Sequence, residues 1–135
     1  MSRITILDTP TVTLWYHSDK KIVHHQLHGF IYGDAFRELL LAGLDLIKKH
    51  RAQKWLSDDT KNTVLAQEDP PQEWVRDNFI APCIQAGWRY WAIVRPAKIL
   101  AQMGMDRVAE LHAQLGLTVK FFHDPVSAMV WLEKQ

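Results

Sequence analysis

The sequence predicts an α/β domain built on a mainly parallel sheet, with an antiparallel hairpin on its N-terminal side and helices mostly on one face. Three observations carry this. Two short β-rich runs near the N-terminus flank a polar turn. Later β-rich runs alternate with helix-periodic segments, an order that implies right-handed crossovers between parallel neighbours. A chain of 135 residues with 47% hydrophobic and 23% charged residues has the size and composition of one globular domain, spanning 1–135.

The segment TVTLWYHSDKKIVHHQLHG reads as strands from Thr11 to His17 and Ile22 to His28, joined by SDKK. That turn sets Trp15 opposite His24 and His17 opposite Ile22. From Asp34 to His50, Phe36, Leu40, Gly43, Leu44 and Ile47 recur at helical spacing, with Asp34 as N-cap and Lys48, Lys49 and His50 suited to the C-terminus. KWLSD, Lys54 to Asp58, is a short strand. After a long polar connection, a helix runs from about Pro71 to Ala86. Pro82 removes a backbone donor there and is expected to kink or split it.

RYWAIV, Arg89 to Val94, is the clearest buried strand, since β-branched and aromatic residues run almost without interruption. Ile99 to Leu115 reads as a helix weakened at Gly104 and stopped at Gly116. LTVKFFHD is the last strand. Asp124 and Pro125 then supply an N-cap and first-position pair for a terminal helix. The order is ββαβαβαβα.

Composition narrows the function classes. The 16 basic and 15 acidic residues are mixed along the chain, with no basic block to follow a phosphate backbone, so nucleic acid is not an expected partner. The N-terminus MSRITILDTP has no apolar signal core, and no stretch approaches the roughly 20 apolar residues of a membrane span. A cytoplasmic protein without a transmembrane segment is the expectation. Cys83 is the sole cysteine, which suits a reducing compartment and reads as a small buried hydrophobe. No cofactor is implied.

The pieces HGFIYGDAF, KWLSDD, EWVRDNFIAPCIQAGWRYWAIV and FFHDPVSAMVWL, in this element order, resemble the bacterial SpoIIAA-like proteins of the STAS type. The closing pattern Phe122, Asp124, Ala128, Trp131 and Leu132 belongs to that resemblance. It implies a SpoIIAA-like right-handed superhelix of β-α units with helices on one face. Its best-understood members are anti-anti-sigma factors switched at a serine in a D-S-S-G turn after the third strand. Here that place reads SDDTKNT: Asp58 matches the acid, Asp59 and Thr60 replace the serines, and the glycine is missing. The phospho-switch therefore does not carry over. Other proteins of similar fold bind lipids or apolar ligands.

The histidines at 17, 24, 25 and 28 suggest a metal, because imidazole is a common zinc ligand. Strand geometry argues otherwise: His24 and His28 share a face but lie roughly 13 Å apart, and His25 points to the opposite face. No metal site is expected. A better candidate is the rim at the carboxyl ends of the parallel strands. His28, Tyr32, Asp58, Asp59, Thr60, Arg95, Met103 and His123 are its candidate ligand-binding residues. The alternative is structural, with Asp58 and Asp124 as loop and cap residues, Thr60 in a turn and Arg95 as counter-ion.

Six tryptophans in so short a chain point to a core or an interface. If helices cover one face only, alternation leaves Trp55 and Phe122 together on the other, joined by Trp91 if its strand takes the same phase. A homodimer through that patch is expected, unless the N-terminal arm, Ile4 to Leu7, folds across it. The leading functional expectation is a non-enzymatic STAS-like regulatory or protein-interaction domain. The alternative is a binder of a small apolar or anionic, lipid-like ligand at the strand ends.

Overall fold

The computed structural model describes residues 3–64 and 68–135. Strands β1 (Arg3–Asp8), β2 (Val12–His17), β3 (Ile22–Leu27), β4 (Lys54–Asp58), β5 (Tyr90–Val94) and β6 (Thr118–Phe122) form one six-stranded sheet in sequence order. β1 through β3 pair antiparallel and β3 through β6 parallel. The hairpin register is the expected one, with Trp15 opposite His24 and His17 opposite Ile22. The mixed, mostly parallel sheet flanked by helices is likewise as read from the sequence.

Helix α1 (Gly33–His50) joins β3 to β4 and buries Leu39, Leu40, Gly43, Leu44, Leu46 and Ile47. Tyr32, not Asp34, occupies its N-cap position, and Asp34 sits in the first turn. Between β4 and β5 lie α2 (Gln72–Val75), a π-helical turn (Arg76–Ile80) and α3 (Ala81–Ala86). Pro82 does not split this run. The backbone widens just before it, where the Ala81 N–H reaches back to the Arg76 carbonyl. A proline ring crowds the carbonyl four residues earlier, and a π turn makes room for it. The next crossover does divide at Met103 and Gly104, into α4 (Ala97–Gln102) and α5 (Met105–Ala113).

Alternation along the strands gives the sheet two unlike faces. Tyr16, Val23, Trp55 and Val119 lie on one, packed against α1, Phe79 of the π turn and Cys83 of α3. Much of the aromatic surplus is spent here: Trp55 meets Phe79 edge-on at 5.1 Å between ring centroids, and Trp88 lies 5.0 Å from Trp91. Ile22, Leu56, Ala92 and Val94 lie on the other face.

Helices were expected mostly on one face, and the cover is not confined to it. The terminal helix α6 (Pro125–Glu133) crosses to that second face, setting Ala128 and Leu132 on Ile22, Leu56, Ala92 and Val94. Nor does the N-terminal arm fold over a face. It adds β1 to the edge of the sheet, with Ile4 and Ile6 exposed. Among the described residues no helix is long and apolar enough to cross a membrane.

Candidate functional site

The carboxyl ends of β3, β4 and β5 open into a cavity of about 160 Å³ on the α1 side of the sheet. Its walls are mostly apolar, with Leu27 from β3, Phe36 and Leu40 from α1, Val75 from α2, and Phe79. Its polar groups are few and come from strands or the residues just after them: His25, Ser57, Asp59, Asn62 and Arg95.

Those groups form two short chains. Trp55 Nε1 lies 3.0 Å from His25 Nδ1, and His25 Nε2 lies 2.7 Å from Asp59 Oδ1. An indole N–H can only donate, so Nδ1 accepts and Nε2 donates to the carboxylate. Both ring nitrogens are thereby engaged. Beside them, Trp91 Nε1–H donates to Ser57 Oγ at 2.8 Å. Ser57 and His25 are cross-strand neighbours on this face, yet neither ring nitrogen is left to take a proton from the serine.

Arg95 stands where β5 ends and is 8% exposed. Its Nη2 donates to the carbonyls of Asn62 at 3.3 Å and Val64 at 2.7 Å, which ties the loop after β4 to the sheet. Its Nε is buried without a hydrogen-bond partner among the described residues. Burial pushes the guanidinium below its ordinary value, and the charge of Asp59 opposes that shift.

Of the eight residues expected at the rim, the cavity gathers Asp59 and Arg95. Asp58 and Thr60 make a turn instead, the Asp58 carboxylate accepting from the Thr60 amide at 3.3 Å and from its hydroxyl. His28 Nε2 is 2.8 Å from Thr13 Oγ1, at the end of the hairpin. Tyr32 is 62% exposed and stacks on Phe30. Met103 ends α4, and His123 is exposed; neither lines the cavity. Asp124 is the N-cap of α6, accepting from the amides of Val126 and Ser127, each at 3.1 Å.

The aromatic interface expected from Trp55, Trp91 and Phe122 is not a common surface. Parallel pairing aligns Trp55 with Trp91 and Val119, while Phe122 has the opposite phase and lies by Trp131 of α6. Trp55 is 1% exposed. His25 and Ser57 were missed because the strand ends were read for loop residues, although alternation already put His25 on the face away from His24. His17 and His24 also meet, Nε2 to Nδ1 at 3.0 Å, as diagonal neighbours across the hairpin. Among the described residues no group of three or more His, Cys, Asp or Glu side chains could hold a metal ion. Set against protein-family models, curated proteins and solved structures, the chain matches none of them.

Proposed function

We propose that the chain is a non-catalytic binding domain that takes a small, largely apolar molecule with one acceptor group into the cavity at the ends of β3, β4 and β5. One observation carries this reading: the largely apolar cavity has Arg95 in its wall, and the buried Arg95 Nε has no hydrogen-bond partner among the described residues. An unpaired buried donor costs on the order of 1–3 kcal/mol, a cost that an acceptor on a bound molecule would offset. The surroundings agree. A cavity of about 160 Å³ is similar to one of ~150 Å³ that takes up benzene, and a few fixed polar groups in an apolar lining suit orientation of a ligand. Commitment of both His25 nitrogens favours binding over acid–base chemistry.

Benzoate and benzyl alcohol are suitable probes. Titrated into ¹⁵N-labelled protein, both should shift the indole N–H signals of Trp55 and Trp91 saturably, benzoate at lower concentration. If neither moves those signals up to ten-millimolar levels, on the order of the weakest specific binding, the reading fails.

Self-association is a second reading, now placed elsewhere than on the aromatic patch. β1 is an edge strand whose outer side is unpaired among the described residues and whose Ile4 and Ile6 are 50% and 38% exposed. Such an edge can pair with its twofold copy. Sedimentation should then give a dimer that Ile4→Lys with Ile6→Lys converts to monomer; a monomeric wild type at high micromolar concentration removes it.

A further inference from the structure

The Arg95 cavity shares part of its wall with a neighbouring space. Phe36 and Val75 also line a second and larger groove of about 650 Å³, bounded by the α2 to π-turn segment on one side and α5 on the other. Its apolar wall is Ile80, Val108, Leu111 and Leu115. Leu111 of α5 and Leu115, just past its end, are 50% and 53% exposed, and no residue of α5 is buried, so both leucines of the groove stand in water.

We infer that the ligand is a straight-chain carboxyl compound, its head held at Arg95 and its alkyl chain passing Phe36 and Val75 into the groove between α2 and α5. This rests on the binding reading above and extends it from a compact ligand to an amphipathic one. The wall shared by the two spaces, Phe36 and Val75, selects the occupant. A partner helix about 10 Å across could lie in the groove but could not continue into a cavity of about 160 Å³, whereas a polymethylene chain fills both.

The polarity of the two ends sets the direction. At the groove lip Arg76 is already paired with Asp77, Nε to Oδ1 at 2.9 Å, and Glu73 lies beside it. At the inner end Arg95 lines the cavity, and its buried Nε has no hydrogen-bond partner among the described residues. Asp59 lies there too, but its Oδ1 is taken up by His25, and together the acid and guanidinium leave the head site near neutral. Recognition of the carboxyl oxygen then comes from the hydrogen bond more than from long-range attraction.

A chain-length series tests this. Hexanoate, octanoate, decanoate and dodecanoate, each below its micelle concentration, are titrated against the full chain by the Trp91 indole signal. A fully buried methylene adds up to about fourfold in affinity, so a half-open groove should give about twofold per methylene and tens of fold across the series. Leu111→Glu with Leu115→Glu, both on the surface, should flatten the series to the hexanoate level and leave benzoate binding as in wild type. Val126→Glu with Val130→Glu, on the exposed side of α6, should leave the series unchanged. Equal affinity along the series with benzoate still bound overturns the chain site and spares the cavity. Flattening by the α6 pair instead overturns it as surface adsorption. If neither hexanoate nor benzoate binds, both readings fall.

Discussion

Gly43 of α1 lies directly against the indole of Trp55: a methyl group on it would come within 2.0 Å of Cη2 and 2.3 Å of Cζ3. The missing side chain sets how closely α1 approaches the sheet, and so how deep the cavity wall formed by Phe36 and Leu40 stands. Alanine is the better helix former by about 1 kcal/mol, but overpacking against a rigid buried ring costs about 1–3 kcal/mol or more, and here the clash is severe. Gly43→Ala should therefore lower the melting temperature by several degrees, roughly 4 °C per kcal/mol lost. Adding Trp55→Phe should recover part of the loss, since the two sites are in contact. Calorimetry that finds Gly43→Ala as stable as wild type would refute the close-packing account.

The acid side of the stability curve should be steepened by His24. Its ring lies 4.7 Å from that of Trp15 and in contact with His17, and burial, aided by the charges of His17, His25 and Arg3, pushes its pKa from 6.5 down to about 3. The unfolded ring takes up a proton near 6.5 while the folded ring does not until about 3, so the unfolded state binds more protons between them. Stability is full above 6.5 and is lost as pH falls through that window. Burial lowers His17 in the same direction. Urea unfolding at pH 7.5 and pH 5 should show a clear loss for wild type and a smaller one for His24→Asn; equal losses would mean that His24 is not the group involved.

The same alternation that hides one residue type in a strand explains what could be read in advance. The SDKK turn is local, so the pairing of Trp15 with His24 followed from the sequence. The phase of Trp55 did not, because parallel strands are aligned by crossover helices far away in the chain, and either parity of KWLSD looks amphipathic. RITILD was passed over as a strand because its side chains face water, and only pairing with β2 reveals it. At the site, Asp59 and Arg95 were legible as residues that follow strands. His25 and Ser57 lie within strands, where only a register identifies them as neighbours.

Cys83 should behave as a core residue. It is buried in the cluster with Phe79 and Trp88, and burial pushes its thiol up to about 12 against the opposing charge of Lys48. At pH 8 the thiolate fraction is then about one in ten thousand. Ellman's reagent should leave the native protein unmodified over an hour and titrate one thiol per chain in guanidinium chloride. Rapid labelling of the native state would show that α3 opens locally.

Arg95 is the residue at which binding and stability should part. Its guanidinium is buried, its Nε has no partner among the described residues, and the two carbonyls it supports belong to half-buried Asn62 and exposed Val64, where water can replace it. Removing an imperfectly satisfied buried charge and filling its volume with an apolar side chain is close to neutral, and at times stabilising. Arg95→Met should thus keep stability within about 1 kcal/mol of wild type, while benzoate affinity falls at least tenfold. Arg95→Lys keeps the charge but places no N–H at the Nε position, so it should recover little of the binding. Parallel urea curves and benzoate titrations separate the outcomes. A variant that loses several kcal/mol yet still binds benzoate would make Arg95 a structural tie between β5 and the loop after β4, and the acceptor site would have to be sought on Asn62 or Ser57.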